Sequence, residues 1–154
     1  MLCNFGRNVH FCKCDAAGGR GTGCLRPDSA SLSTGIGLLV IEAAVMAKEG
    51  EKAAQIAARM EELKPLVRAS FVVDTLTYLH RGGRCSGVAA LAGSALKLHP
   101  KIVVENGKMN PEKKYRGKME KVLLDYTKDL KEALCLARKD RVFITHSGCE
   151  EQTV

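Results

Sequence analysis

Phe71-Val72-Val73-Asp74-Thr75-Leu76-Thr77-Tyr78-Leu79-His80-Arg81-Gly82-Gly83-Arg84 is the stretch on which the reading of this chain turns. Its first residues are aromatic and β-branched, which favours a strand, and the strand meets an acidic residue at Asp74. One amphipathic turn then leads to a Gly-Gly pair flanked by two arginines. Paired glycines allow φ > 0 and a close backbone approach, and arginines offer planar donor forks that suit carboxylate or phosphate. The pattern predicts an anion-facing loop at the end of a buried strand. It leaves the anion unnamed.

Outward from this stretch, the punctuation predicts alternating elements. Leu38, Ile41 and Val45 follow helical spacing, giving a helix over 35–48 with Ser33 and Thr34 before it and Gly50 after it. Ile56, Met60 and Leu63 place a second helix over 51–64, ended by Pro65. A strand over 68–73 is almost continuously apolar and so expected to be buried on both faces. Thr75 to His80 reads as a short helix and Val88 to Leu98 as a small-residue helix stopped by Pro100. Asn106-Gly107 between Ile102–Glu105 and Lys108–Lys113 is a type I′ hairpin signal. A long amphipathic helix is expected over 116–138, then a strand over 142–145. Alternation of this kind argues for an α/β (α+β) domain. The hairpin adds an antiparallel element, so a mixed sheet with packed helices is predicted.

Composition narrows the class. The 154 residues are 45% hydrophobic and 27% charged, ordinary for a globular protein. No apolar run approaches the roughly 18 residues of a membrane span, and no secretory pattern opens the chain, so a cytoplasmic protein without integral membrane association is expected. The formal net charge is +7. From Lys97 to Lys121, eight Lys and Arg stand against three Glu, a basic run that suits an acidic protein, a phosphate or a nucleic acid, or forms a solvated hairpin. Tyr115 is the one aromatic residue inside it, which disfavours a stacking platform for single strands. A nucleic-acid-binding domain over Lys97–Lys121 is therefore the alternative reading, and no nucleic-acid partner is the expectation.

Seven cysteines are present, four of them (Cys3, Cys12, Cys14, Cys24) in the first 24 residues beside His10. The His10-x-Cys12-x-Cys14 spacing differs from that of structural zinc sites, whose paired ligands lie two to four residues apart; no metal is expected. Residues 1–27 also carry a Gly18–Gly23 glycine-rich run and Pro27. They are expected to be an atypical, poorly ordered segment arising from a shifted frame or wrong start, with 28–154 as the domain proper.

Catalytic signatures are missing. Asp74, His80, His99 and His146 are the available acid–base groups, yet no G-x-S-x-G, HExxH or Walker loop accompanies them. Gly35-Ile36-Gly37 lacks the third glycine of a dinucleotide fingerprint. Cys85 beside Arg84 reads as a core cysteine before a reactive one. The chain is expected to be no enzyme and to need no cofactor.

The segment FVVDTLTYLHRGGRCSGVAALAGSALKLHPKIV, with ENGKM and KKYRGKMEKVL after it, resembles the DegV family of bacterial fatty-acid-binding proteins. Asp28-Ser29 ahead of Gly35-Ile36-Gly37, and Arg141 to Cys149, are similar to further segments of that family. The likeness covers about residues 28–150. It implies a carrier of long-chain fatty acids that presents its ligand to a separate fatty-acid kinase. It also implies a fold of two α/β domains about twice this length, of which this chain holds a partial C-terminal one. The family's carboxylate-binding Thr, Ser and His fall outside the matching region, so carboxylate donors are expected outside this chain. Arg81 in RGGR and Arg116 in YRGK are the positions matching the family's kinase-facing arginines, with Arg84 a third. For the lipid tail, Phe71, Leu91, Leu96 and Ile102 are the candidates, against an ordinary role in a hydrophobic core.

Overall fold

A computed structural model describes residues 2–5, 8–14, 20–25, 27–82 and 98–148, with backbone alone for 2–5, 8–14, 20–24 and 80–81. Contacts divide it into two compact units, Met1–Ala69 with Val104–Lys108 and Ser70–Val103 with Met109–Val154.

The first unit opens on three strands, β1 (Leu2–Phe5), β2 (Asn8–Cys14) and β3 (Arg20–Leu25), paired antiparallel in that order. This differs from the irregular chain expected over 1–27. Val9 and Phe11 alternate with His10 and Cys12, a period-two pattern compatible with a strand, and the glycine-rich run spoke against it in the sequence reading. Helices α1 (Thr34–Lys48) and α2 (Ala53–Leu63) follow, within two residues of their predicted bounds at the helix ends. Gly50 takes φ 90°, the left-handed conformation that closes a helix. Ser33 occupies the N-cap position of α1 without a side-chain capping bond. Ile36, Leu39, Ala43, Ile56 and Met60 form the buried core of this helix pair. Gly35 is required by packing, because a Cβ there would lie 2.1 Å from Ser31 Oγ. A single 3-10 turn, Lys64–Leu66, contains Pro65 and ends the second helix.

Strand β4 (Ala69–Val72), short helix α3 (Thr77–Arg81), strands β5 (Leu98–Glu105) and β6 (Lys108–Arg116), and helix α4 (Met119–Leu136) complete the described elements. The second sheet has the order β4-β5-β6. Asn106 (φ 51°) and Gly107 (φ 73°) turn the β5–β6 hairpin, as a type I′ turn requires. The architecture is the predicted mixture of α and β.

Two local expectations are corrected. Pro100, read as a helix stop, lies fully buried inside β5, the middle strand of its sheet. Proline is normally confined to edges and strand starts, so its identity pointed away from a strand. Residues 142–145, expected to form a strand, have no regular structure, and Ile144 is 79% exposed. A strand exists only through a hydrogen-bonded neighbour, and among the described residues none pairs with this run. The expected helix over 88–98 lies outside the described residues except for Leu98, which opens β5.

Candidate functional site

The opening stretch of sequence becomes β4, a turn at Asp74, and α3. The Thr77 N–H donates to the Thr75 hydroxyl at 3.3 Å, tightening the turn, and the Gly82 N–H donates to Tyr78 O at 3.0 Å, closing the short helix. Beneath the turn Leu76 and Ile102 are buried, with Phe71, Val73, Leu79 and Met109 packed against them. Two of the tail candidates, Phe71 and Ile102, are thus brought together. Phe71 is half-buried and Ile102 wholly enclosed. Leu91, Leu96 and Arg84 lie outside the described residues. Arg81 is the last residue of α3, its side chain likewise outside what is described. Arg116 ends β6 with an exposed side chain.

Between the two arginine-bearing segments sits His99, second residue of β5 and buried. Its Nε2 is 3.1 Å from Gly117 O, and its Nδ1 is 3.4 Å from Val73 O and 3.6 Å from Asp74 Oδ1. A buried imidazole needs partners for its ring nitrogens; here they come from the residues just past β4 and β6. No local sequence signal announced this tie.

The basic hairpin is partly neutralised. Lys101, buried on β5, pairs with Glu112 at 2.5 Å, and Lys113 pairs with Asp129 of α4 at 2.6 Å. The Tyr115 hydroxyl donates to the same Asp129 oxygen at 2.6 Å. Hydrogen bonds from Lys113 and then Tyr115 hold the Asp129 carboxyl below its ordinary range. Burial, then the hydrogen bond to Asp129, pushes the Tyr115 phenol up. Tyr115 stacks edge-on against Tyr126, whose hydroxyl donates to Ser70 O at 3.0 Å. Lys108, Lys114, Arg116, Lys118 and Lys121 remain exposed. A separate apolar groove of about 570 Å³ runs along α4 past Leu124, Leu134 and Cys135, rimmed by Lys128, Lys131 and Lys139. Neither of the described tail candidates, Phe71 and Ile102, lines it.

The model of the DegV family, described as an uncharacterised protein family, matches residues 24–154 of this chain. The chain belongs to the DegV family. A DegV domain-containing protein of Caldanaerobacter subterraneus subsp. tengcongensis is 36% identical over 104 residues, 66% of this chain and 37% of that protein. One from Clostridium perfringens is 34% identical over 125 residues, 80% of this chain and 43% of that protein. This chain therefore spans about two fifths of the length of the curated DegV relatives it matches. Among solved structures, a DegV family protein from Thermus thermophilus described as binding fatty acid superposes with a TM-score of 0.59 at 30% identity, over 73% of this chain and 39% of that one. A stearic acid-binding protein from Eubacterium ventriosum gives 0.57 at 27% identity, over 69% and 37%. The match begins within β3, so residues 1–23 stand outside the family's pattern. Among the described residues no helix is long and apolar enough to cross a membrane.

Proposed function

We propose that this protein binds a long-chain fatty acid and presents its carboxylate to a separate fatty-acid kinase, without catalysis of its own. The observation that carries the reading is membership of a family whose solved relatives include proteins described as binding fatty acid and stearic acid. Physical chemistry adds two supports. A fatty acid needs an aliphatic wall for its tail and a few polar donors for its head. The half-buried Phe71 offers part of that wall with the enclosed Ile102 packed behind it, and Leu91 and Leu96 are the further tail candidates. Carboxylate donors come from parts of the family plan that this chain does not match.

Arg81, Arg84 and Arg116 then form the surface that meets the kinase or the newly formed phosphate. Arginines beside glycine turns, as the exposed Arg116 is, steer an acidic partner and pair with phosphate oxygens. The pairing of Lys101 and Lys113 with Glu112 and Asp129 removes two cations from the basic run, which weighs against the nucleic-acid alternative. The carrier operates in the cytoplasm, with neither metal nor cofactor.

Organic extraction of the purified full-length gene product, followed by mass spectrometry, tests the reading. Recovery of a long-chain fatty acid is expected. A lipid-free extract that stays lipid-free after incubation with oleate would overturn it.

A further inference from the structure

His99 stands on the middle strand of its sheet, and its two ring nitrogens face the chain just past each neighbouring strand. On one side is Val73, from which the chain runs through Asp74 into α3 and Arg81. On the other is Gly117, next to the exposed Arg116. Gly117 takes φ 120°, a conformation that favours glycine. With only 5% of His99 exposed, the ring has little solvent to satisfy it, and the acceptors in reach of its N–H are the Val73 and Gly117 carbonyls.

We propose that His99 is a positioning residue that fixes the turn after β4 and the turn after β6 in one relation, so that the Arg81 and Arg116 segments meet the kinase as a single surface. This rests on the reading that those arginines face the kinase. The physical reason is that the turn after β4 is held within itself by local hydrogen bonds and the end of β6 lies beyond that strand's side-chain cross-links. Residues 74–77 hold themselves through Thr75 and Thr77, and Arg116 ends a strand whose cross-links lie earlier, at Glu112, Lys113 and Tyr115. The imidazole supplies the link between them. A ring with one N–H donates to one carbonyl, and a doubly protonated ring donates to both. His99 touches neither lipid nor phosphate. Its effect is on geometry.

The test is a kinase assay with the fatty-acid-loaded full-length gene product, reading KM for the carrier and kcat separately. His99→Phe keeps the ring's bulk and removes every N–H that can donate to the Val73 or Gly117 carbonyl. It is expected to raise KM about tenfold, the equivalent of one or two lost hydrogen bonds, with kcat and bound lipid unchanged. In His99→Gln the amide nitrogen reaches toward Gly117 O and recovers part of the loss. A wild-type KM in His99→Phe overturns the inference. So does a parallel fall in lipid content and kcat without recovery by Gln, which marks a purely structural role. Arg116→Ala, run alongside, separates the two readings. A raised KM there with a wild-type KM in His99→Phe sinks the inference alone; wild-type values in both sink the arginine surface as well. Should His99→Phe fail to fold, hydrogen exchange on His99→Gln decides. Faster exchange across 74–82 with 116–118 still protected supports the inference, and unchanged exchange in both segments contradicts it.

Discussion

The helix pair α1–α2 and the sheet β4-β5-β6 with α4 are stabilised in different ways. The buried core of the helix pair is apolar: Ile36, Leu39 and Ala43 on one helix, Ile56 and Met60 on the other. Around the sheet, Leu76 and Ile102 form a buried cluster and Pro100, Val104, Tyr115 and Val122 are buried as well, and polar groups add cross-links to this packing. Tyr115 and Lys113 converge on Asp129, Tyr126 reaches Ser70, Lys101 meets Glu112, and His99 joins two turns. Apolar packing is non-directional and tolerates small adjustments, whereas hydrogen-bonded links specify position. The exposed Arg116 ends a strand of the region that carries these directional links.

That contrast has consequences of graded size. Leu39→Ala, at a side chain 2% exposed, is expected to cost about 3 kcal/mol in urea unfolding through lost burial and the cavity left behind. A cost below about 1 kcal/mol would mean that the helix pair is not held by its apolar face. Tyr115→Phe keeps the ring and removes one donor to Asp129, which retains Lys113, so the expected cost is about 1 kcal/mol. Combined with Tyr126→Phe, the losses should add to within about 0.5 kcal/mol, because both substitutions keep the edge contact of the rings and the two hydroxyls have separate partners, Asp129 and Ser70. A larger coupling would show that the two hydroxyls act as one network.

The smallest effect is a pH dependence confined to the sheet region. Asp129 has a folded value below its ordinary 3.8, so its contribution to stability is complete above that value and is lost as pH falls through the folded one. The urea midpoints of wild type and Asp129→Asn should therefore converge as pH drops below about 4. A gap that stays constant into acid would remove the carboxylate from the cross-link.

The same division explains what could be read from the residues. Helical spacing at Leu38, Ile41 and Val45, the stop at Gly50, and the Asn106-Gly107 turn are local signals, and each element appeared near its predicted place. The links that organise the site are not local. Ser70 and Tyr126 are 56 positions apart, and His99 bonds backbone 26 residues before it and 18 after it. Nothing in the neighbourhood of any of these residues marks its partner. Pro100 hid the start of β5, because proline inside a middle strand contradicts the ordinary rule. At residues 142–145 the apolar run was legible and its pairing was not, since pairing depends on a neighbour the run does not encode. Of the site candidates, Phe71 and Ile102 were placed together and Arg116 at an exposed strand end, while Arg84, Leu91 and Leu96 lie outside the described residues.

Native mass spectrometry of the full-length gene product, purified without detergent and offered a mixture of long-chain fatty acids, tests the account most directly. A single added mass equal to one fatty acid, displaced by a competing long-chain acid, is the predicted result. Protein of bare mass under the same conditions would contradict a carrier.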